Sequence, residues 1–485
     1  MQIFAALPLS KQLLVVALLL ALLVCLSDSW FYRHGYILLY GDAQAHLNIS
    51  RSILDSRTPG YDQIGTVWLP VLHVICLPFV MNNAWWSSGL AGTIPVSICF
   101  VLAGTLLFAA ARDAYQDALS AAIVTGCFAL NPNLLYLAAA PMTEIVFLAG
   151  FAALLLALGR GWFALAVPAC WWMALTRYDG WFLIPFAAAA FASQKRRLSA
   201  GVWFAVLASL APLYWIGHNW FETSNPFDFF NGPYSAKAIQ GNQWYPGLHN
   251  WLQAGHYYWK AGQLCSGWQL LILGIAGFFC ISNGRMLKPA SLLALTPLFY
   301  IWSMHSSGNP VRVPQLWPHD YYNSRYGIAV AVWAAFASGA IVTVLPWRWR
   351  NWSPVVILLA VLPWIFSSRQ GWIVWKESEV NSRSRLAWTR AAGDFMKANY
   401  RMGQGITASF GDLTGIFSYA QIPLGEVLHE GNGPLWLATR ARPDLLHTTV
   451  WAITQGRNSL EPAYRIVREI DVKGAPPLFL LKRRH

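Results

Sequence analysis

The chain has 485 residues, 56% hydrophobic and 11% charged, with a net charge of +13. Soluble domains carry about 25% charged residues, so the composition excludes an ordinary soluble enzyme and indicates a polytopic α-helical membrane protein. The positive balance does not indicate nucleic acid, because many basic residues sit in short stretches between apolar runs, where they set topology.

Apolar runs of spanning length lie at roughly 12–31, 88–111, 118–138, 144–159, 161–177, 179–193, 200–219, 267–283, 289–304, 326–346 and 352–368, about eleven in all. The first starts after Lys11, lacks a clear small-residue cleavage site, and reads as a retained span. Residues 68–86 form a further apolar stretch, interrupted by Pro70, His73, Pro78, Asn82 and Asn83. If that stretch does not cross, Lys11, Arg112, Arg160, Lys195-Arg196-Arg197, Arg285 with Lys288, and Arg348 with Arg350 all fall on one side. By the positive-inside rule that side is cytoplasmic, and 68–86 is a surface-lying or re-entrant part of the first external loop. The 27 Trp suit membrane-interface belts. Six of the seven Cys lie in apolar stretches and none forms CxxC, which argues against a disulfide framework or a zinc site.

This topology places about 32–87, 139–143, 177–180, 220–266, 305–325 and the tail 376–485 outside the cytoplasm. The expected domains are a transmembrane unit, 1–375, with external loop helices at about 42–87, and a small extracytoplasmic α/β domain, 376–485. In the tail, Ser384 to Tyr400 reads as helix, and Ile406 to Phe410, Val450 to Thr454 and Pro477 to Leu481 read as strands.

The first external loop opens with Gly41-Asp42-Ala43-Gln44-Ala45-His46. If 42–56 is helical, Asp42, His46, Ile49 and Ile53 share one face, while Asn48, Arg51 and Asp55 share another. Such a helix would lie on the membrane surface, with Asp42 either a functional acid or simply an N-cap. Glu144 opens a later span, and Arg177 and Asp179 stand at another outer span end. Arg325 stands where a span returns into the membrane; there it can fork onto a phosphate or act as a snorkelling anchor. Aromatic and hydroxyl-rich stretches around Tyr61, Trp68, Tyr234, Tyr321 and Tyr322 suit a sugar or prenyl group, or an ordinary aromatic belt. The acids cluster at span ends and not at midplane, where a transporter more often places its ionisable groups. No Walker motif, GxSxG or HExxH is present.

An acid after the first span, an amphipathic external helix, a Pro-containing segment Thr66-Val67-Trp68-Leu69-Pro70 and a second acid opening a later span together resemble the GT-C superfamily. These are integral-membrane glycosyltransferases such as the protein O-mannosyltransferases and lipid A aminoarabinose transferases. The resemblance maps the first-loop acid to Asp42, the second-loop acid to Glu144 and the external arginine near the lipid phosphate to Arg325. Many relatives have Asp where this chain has Glu144. It implies a GT-C-like fold in the plasma (inner) membrane, with the site on the extracytoplasmic face. The implied partners are a polyprenyl-phosphate monosaccharide donor, membrane lipids and an acceptor hydroxyl on a glycan, lipid or protein. In that chemistry Asp42 acts as general base, and Arg325, with Arg177 or His46, stabilises the departing phosphate. One attack from the opposite face inverts the anomeric centre. Glu144 orients the acceptor or shares a divalent ion with Asp42. The metal-free version is preferred, because the sequence contains no compact carboxylate cluster. The competing reading is a lipid-linked-sugar flippase or transporter.

Overall fold

The computed structural model describes residues 2–306, 308–366, 372–442, 449–455 and 463–484. Each of the eleven apolar runs contains a helix; the last expected run ends at 367–368, outside the described residues. Among the described residues five helices are long and apolar enough to cross a bilayer: Leu9–Arg33, Leu90–Tyr115, Thr143–Arg160, Leu198–Thr223 and the Ser324–Val344 stretch. Two bent pairs raise that number to seven. The remaining helices are shorter or more polar, Phe163–Ala174 having only 12 residues, so the count of eleven exceeds what length and hydropathy support one helix at a time. The chain is a polytopic α-helical membrane protein with a small C-terminal α/β domain.

The bends have local causes. Ala118–Ala129 and Pro132–Ala139 meet at 62°, where one straight span was expected. Pro132 cannot donate a backbone hydrogen bond and clashes with the preceding turn. Asn131 restarts the helix, accepting from the Asn133 and Leu134 amides. The expected external loop 220–266 contains a 16-residue helix, Trp251–Ser266, capped by Asn250 and ended by Gly267 at φ +71°. It turns through 107° into Trp268–Phe279. That helix packs closely on Ile328–Ser338: a Cβ at Gly277 would stand 2.1 Å from the Ala337 carbonyl oxygen. Close approach at small residues is how helices associate in lipid.

The chain divides into two compact units. The first comprises Met1–Phe31, Val96–Ala139 and Thr143–Glu377; the second comprises Tyr32–Pro95, Ala140–Met142 and Ser378–His485. This division differs from the expected domains in two places. The boundary expected at 375/376 falls inside one helix, Ile373–Asn399, whose first 20 residues contain neither Gly nor Pro to stop it. The segment 42–87, expected with the spans, belongs with the tail.

Side-chain contacts explain that second difference. Helix Gly41–Ser52 carries Gln44, Asn48, Arg51 and Ser52 buried, so its polar side is not turned to water as a membrane-surface helix requires. Arg385 donates to the Gln44 side chain and the Leu39 carbonyl, each at 2.6 Å. Asn48 donates to the Thr414 carbonyl at 3.0 Å and accepts from the Trp86 indole at 2.8 Å. Arg51 forms the expected pair with Asp55 at 2.7 Å, donates to Asn83 and the Val80 carbonyl, and lies over the Trp86 ring. Asp55 in turn accepts from the Leu424 and Gly425 amides at 3.1 and 2.9 Å. Residues 68–86 hold two short helices, Val71–Val80 and Asn83–Ser88, each too short to cross.

The tail contains a five-stranded sheet ordered β2-β1-β3-β5-β4. β1 (Ile406–Ala408) is parallel to β2 (Val427–Leu428) and to β3 (Trp451–Gln455). β5 (Leu478–Arg483) runs antiparallel to β3 and to β4 (Tyr464–Ile470). The three expected strands are present within a residue or two. β2 is too short to read from pattern, and edge strand β4 is mostly exposed and charged, which protects it from edge pairing.

His429 stacks on Phe410, with ring centroids 3.6 Å apart, and accepts the Gly431 amide at 3.1 Å. Burial, aided by the Arg57 guanidinium, lowers its pKa to about 3. The folded state keeps this imidazole neutral while the unfolded chain protonates near its ordinary value. Stability should therefore fall as pH drops from about 6.5 towards about 3, by roughly 1.4 kcal/mol per pH unit from this group. Unfolding of the intact protein across that window, compared with His429→Gln, measures it: the variant should show a shallower acid slope.

Candidate active site

Two helices begin with acids facing one point. Glu144 lies in the first turn of Thr143–Arg160, and Asp179 opens Asp179–Lys195. Both positions favour negative charge, because the helix dipole is positive there. Arg177 sits in the turn before Asp179. Arg325 sits in a 3-10 turn, Ser324–Gly327, that runs directly into Ile328–Ser338. Gly327 allows this turn to pack: a Cβ there would lie 2.4 Å from the Ala261 carbonyl oxygen.

The side chains converge on Glu144. Its Oε1 accepts from Arg177 Nη1 at 3.0 Å and from Arg325 Nε at 3.1 Å. Arg177 also donates to Thr143 Oγ1 at 2.7 Å and Tyr300 Oη at 3.0 Å, and pairs with Asp179 at 3.3 Å. Tyr300 donates a hydrogen bond from its hydroxyl to Asp179 Oδ2 at 2.9 Å. Arg325 Nη1 lies 3.6 Å from Glu377 Oε1, and Glu377 Oε2 accepts from the amide and hydroxyl of Ser324. Glu144, Asp179 and Glu377 are each only 2–3% exposed. The Tyr326 ring stacks on Tyr300 at 4.6 Å and lies beneath both guanidiniums. Three carboxylates and two guanidiniums thus share one buried network, the geometry in which Arg is favoured over Lys. Among the described residues Glu144 Oε2 has no hydrogen-bond partner, nor has Thr296 Oγ1. Both residues line a cavity of about 20 Å³, enough for about one water.

Of the expected residues, Glu144, Arg177 and Arg325 are brought together here. The divalent-ion option fares poorly at Glu144: two guanidiniums within 3.1 Å of Oε1 repel a cation at that oxygen. Among the described residues no group of three or more His, Cys, Asp or Glu is arranged to hold a metal. Asp42 lies in the first turn of Gly41–Ser52, whose cap position is Tyr40, so Asp42 is not the N-cap. His46, one turn later on the same face, meets His73 at 3.0 Å and stacks near Trp68 at 4.4 Å, all within the second unit. His73 is fully buried, and burial with the neighbouring His46 holds its pKa well below the usual imidazole range. Tyr61 is exposed in a short 3-10 turn. Tyr234 is exposed in the first unit. Tyr321 precedes Tyr322, which bridges Arg312 through backbone hydrogen bonds of 2.9 and 3.1 Å. Tyr234, Tyr321 and Tyr322 do not line the Glu144 cavity.

Sequence reasoning did not select Asp179, Tyr300 or Glu377 for the site. Asp179 carried a signal, an acid two residues after Arg177 at a span end. Tyr300 lies within an apolar run and Glu377 within a charged helix, and neither position sets it apart.

Two crystal structures of ArnT from Cupriavidus metallidurans resemble the chain along its whole length. In the apo state the match covers 97% of this chain and 98% of that one, with TM-score 0.60 and 13% identity. Bound to undecaprenyl phosphate it covers 93% and 97%, with TM-score 0.56 and 12% identity. ArnT, a lipid A aminoarabinose transferase, is a GT-C superfamily member. The chain has the GT-C fold. No protein-family model and no curated protein sequence matches it.

Tyr300→Phe keeps the ring stacking but removes the hydroxyl between Arg177 and Asp179. Leaving those buried groups under-satisfied should cost about 1–3 kcal/mol, read as a lower unfolding midpoint in detergent. An unchanged midpoint would mean that the Tyr300 hydroxyl adds nothing to the network.

Proposed function

We propose that this GT-C-fold protein is an inverting glycosyltransferase. It moves a monosaccharide from a polyprenyl-phosphate donor to an acceptor hydroxyl on a glycan, lipid or protein, at the extracytoplasmic face of the plasma (inner) membrane. The observation that carries this reading is the end-to-end likeness to an ArnT structure holding undecaprenyl phosphate. The paired arginines on Glu144 support it chemically, since guanidiniums at the end of a span are donors that suit a phosphate.

In the proposed reaction the acceptor oxygen attacks the anomeric carbon from the face opposite the phosphate. The bond from that carbon to the phosphate oxygen breaks, and the phosphate leaves on the prenyl chain. Asp42 takes the acceptor proton. Arg325 and Arg177 stabilise the charge that grows on the leaving phosphate. Glu144 holds the two guanidiniums in register; this role fits its contacts better than metal binding. The aromatic side chains Trp68, Tyr61, Tyr234, Tyr321 and Tyr322 remain proposed substrate contacts, and His46 a proposed aid to the phosphate.

Purified protein given polyprenyl-phosphate sugars and acceptor extracts, followed by mass spectrometry, tests the reading. Sugar transferred with release of polyprenyl phosphate supports it. Donor moved across vesicles with its sugar–phosphate bond intact identifies a flippase instead. Asp42→Asn should slow transfer by about 10²–10⁴-fold while leaving donor binding intact, as the amide is nearly isosteric but cannot accept a proton at neutral pH. Transfer at the wild-type rate would remove Asp42 from the chemistry. Arg325→Ala should weaken binding of the polyprenyl-phosphate donor by about 1.5–3 kcal/mol, measured directly with the inactive Asp42→Asn background to prevent turnover.

A further inference from the structure

The helices that carry the ion network at one end enclose a larger cavity at the other. Thr143–Arg160 runs from Glu144 to Arg160, 16 residues and so about 24 Å along its axis. Asp179–Lys195 places Gln194 about 22 Å from Asp179, and Gly284–Ser306 places Lys288 about 18 Å from Tyr300. Between these ends and the close of Leu90–Tyr115 lies a cavity of about 370 Å³. These lengths approach the hydrocarbon thickness of a bilayer, about 30 Å, so the cavity belongs to the leaflet opposite the Glu144 network.

Its lining is divided by chemistry. Leu155, Leu158 and Leu292 supply apolar lining, and Arg160, Arg285, Lys288 and Asp113 supply charged lining. Asp113 is already engaged: its carboxylate takes Arg160 in a two-pronged pair at 2.5 and 3.3 Å. Arg285 and Lys288 have no carboxylate partner among the described residues. Two cations therefore line a cavity that is also lined by leucines. Basic residues that only set topology need no cavity, whereas these two line one.

We propose that this cavity binds an anionic membrane phospholipid, with the phosphate headgroup on Arg285 and Lys288 and the start of an acyl chain along Leu155, Leu158 and Leu292. Basic pockets between spanning helices suit such headgroups, and a cation pair favours a phosphate diester with no compensating ammonium. The inference does not depend on the glycosyltransferase reading, because it uses none of that site's residues.

The test is native mass spectrometry of the intact purified protein titrated with phosphatidylglycerol or phosphatidylcholine. The wild type should retain phosphatidylglycerol preferentially. The double variant Arg285→Ala with Lys288→Ala should lose that retention by about tenfold, while Arg348→Ala, an exposed basic residue outside the cavity, should not. Equal retention in the double variant, or equal loss in Arg348→Ala, overturns the proposal. So does full displacement of the lipid by millimolar inorganic phosphate, which would mark a free-phosphate site. Unfolding midpoints of the variants without added lipid should match the wild type; a variant that fails this check is replaced by Lys288→Gln, for which partial loss is expected.

Discussion

A carboxylate buried in a membrane-spanning bundle is costly unless its charge is answered. Glu144 is answered twice, by Arg177 and Arg325, and this one oxygen ties together three parts of the chain that are far apart in sequence. The pairing propagates outward. Arg177 needs Asp179 and Tyr300, Arg325 needs Glu377, and Glu377 needs the backbone amide of Ser324. Each new partner adds a charge or hydroxyl that itself must be satisfied, so the network ends only where neutral donors and aromatic faces close it. The spans that bring these residues in are thereby constrained in register as well as in packing.

The second unit is held by a different balance. Its helix Gly41–Ser52 is too polar to be stabilised by apolar burial alone, and the tail supplies what it lacks through Arg385, Thr414, Leu424 and Gly425. Arg51 is the centre of this arrangement, bonded to Asp55, Asn83 and a backbone carbonyl while stacked on Trp86. An arginine serves here because its planar fork satisfies several acceptors at once. The polar pattern of the first loop thus reflects burial against protein and not exposure to water.

The two arrangements draw their charged groups into compact networks. Glu144, Arg177, Asp179, Arg325 and Glu377 are drawn into one network, and Arg51 and Asp55 into another. Close packing at Gly277 and Gly327 leaves little room for helix sliding, so the ionic networks are pre-set by van der Waals contact. A site made this way needs little reorganisation when a charged group arrives.

The sequence by itself determined the class, the helical runs and three of the tail's strands, because hydropathy and periodicity are local properties. It also marked Glu144, Arg177 and Arg325, since charges at span ends stand out against an apolar background, and the Arg51–Asp55 pair, since that spacing is set within one helix turn. It did not determine that Arg177 and Arg325 share one carboxylate, that Tyr300 and Glu377 complete the network, or that the first loop folds with the tail. Those facts depend on contacts between residues up to several hundred positions apart, and no local pattern encodes which distant partner will neutralise a buried charge. Only the tertiary structure decided them, because the cost of an unpaired ion in low dielectric is met by whichever side chain the packing brings within hydrogen-bond distance.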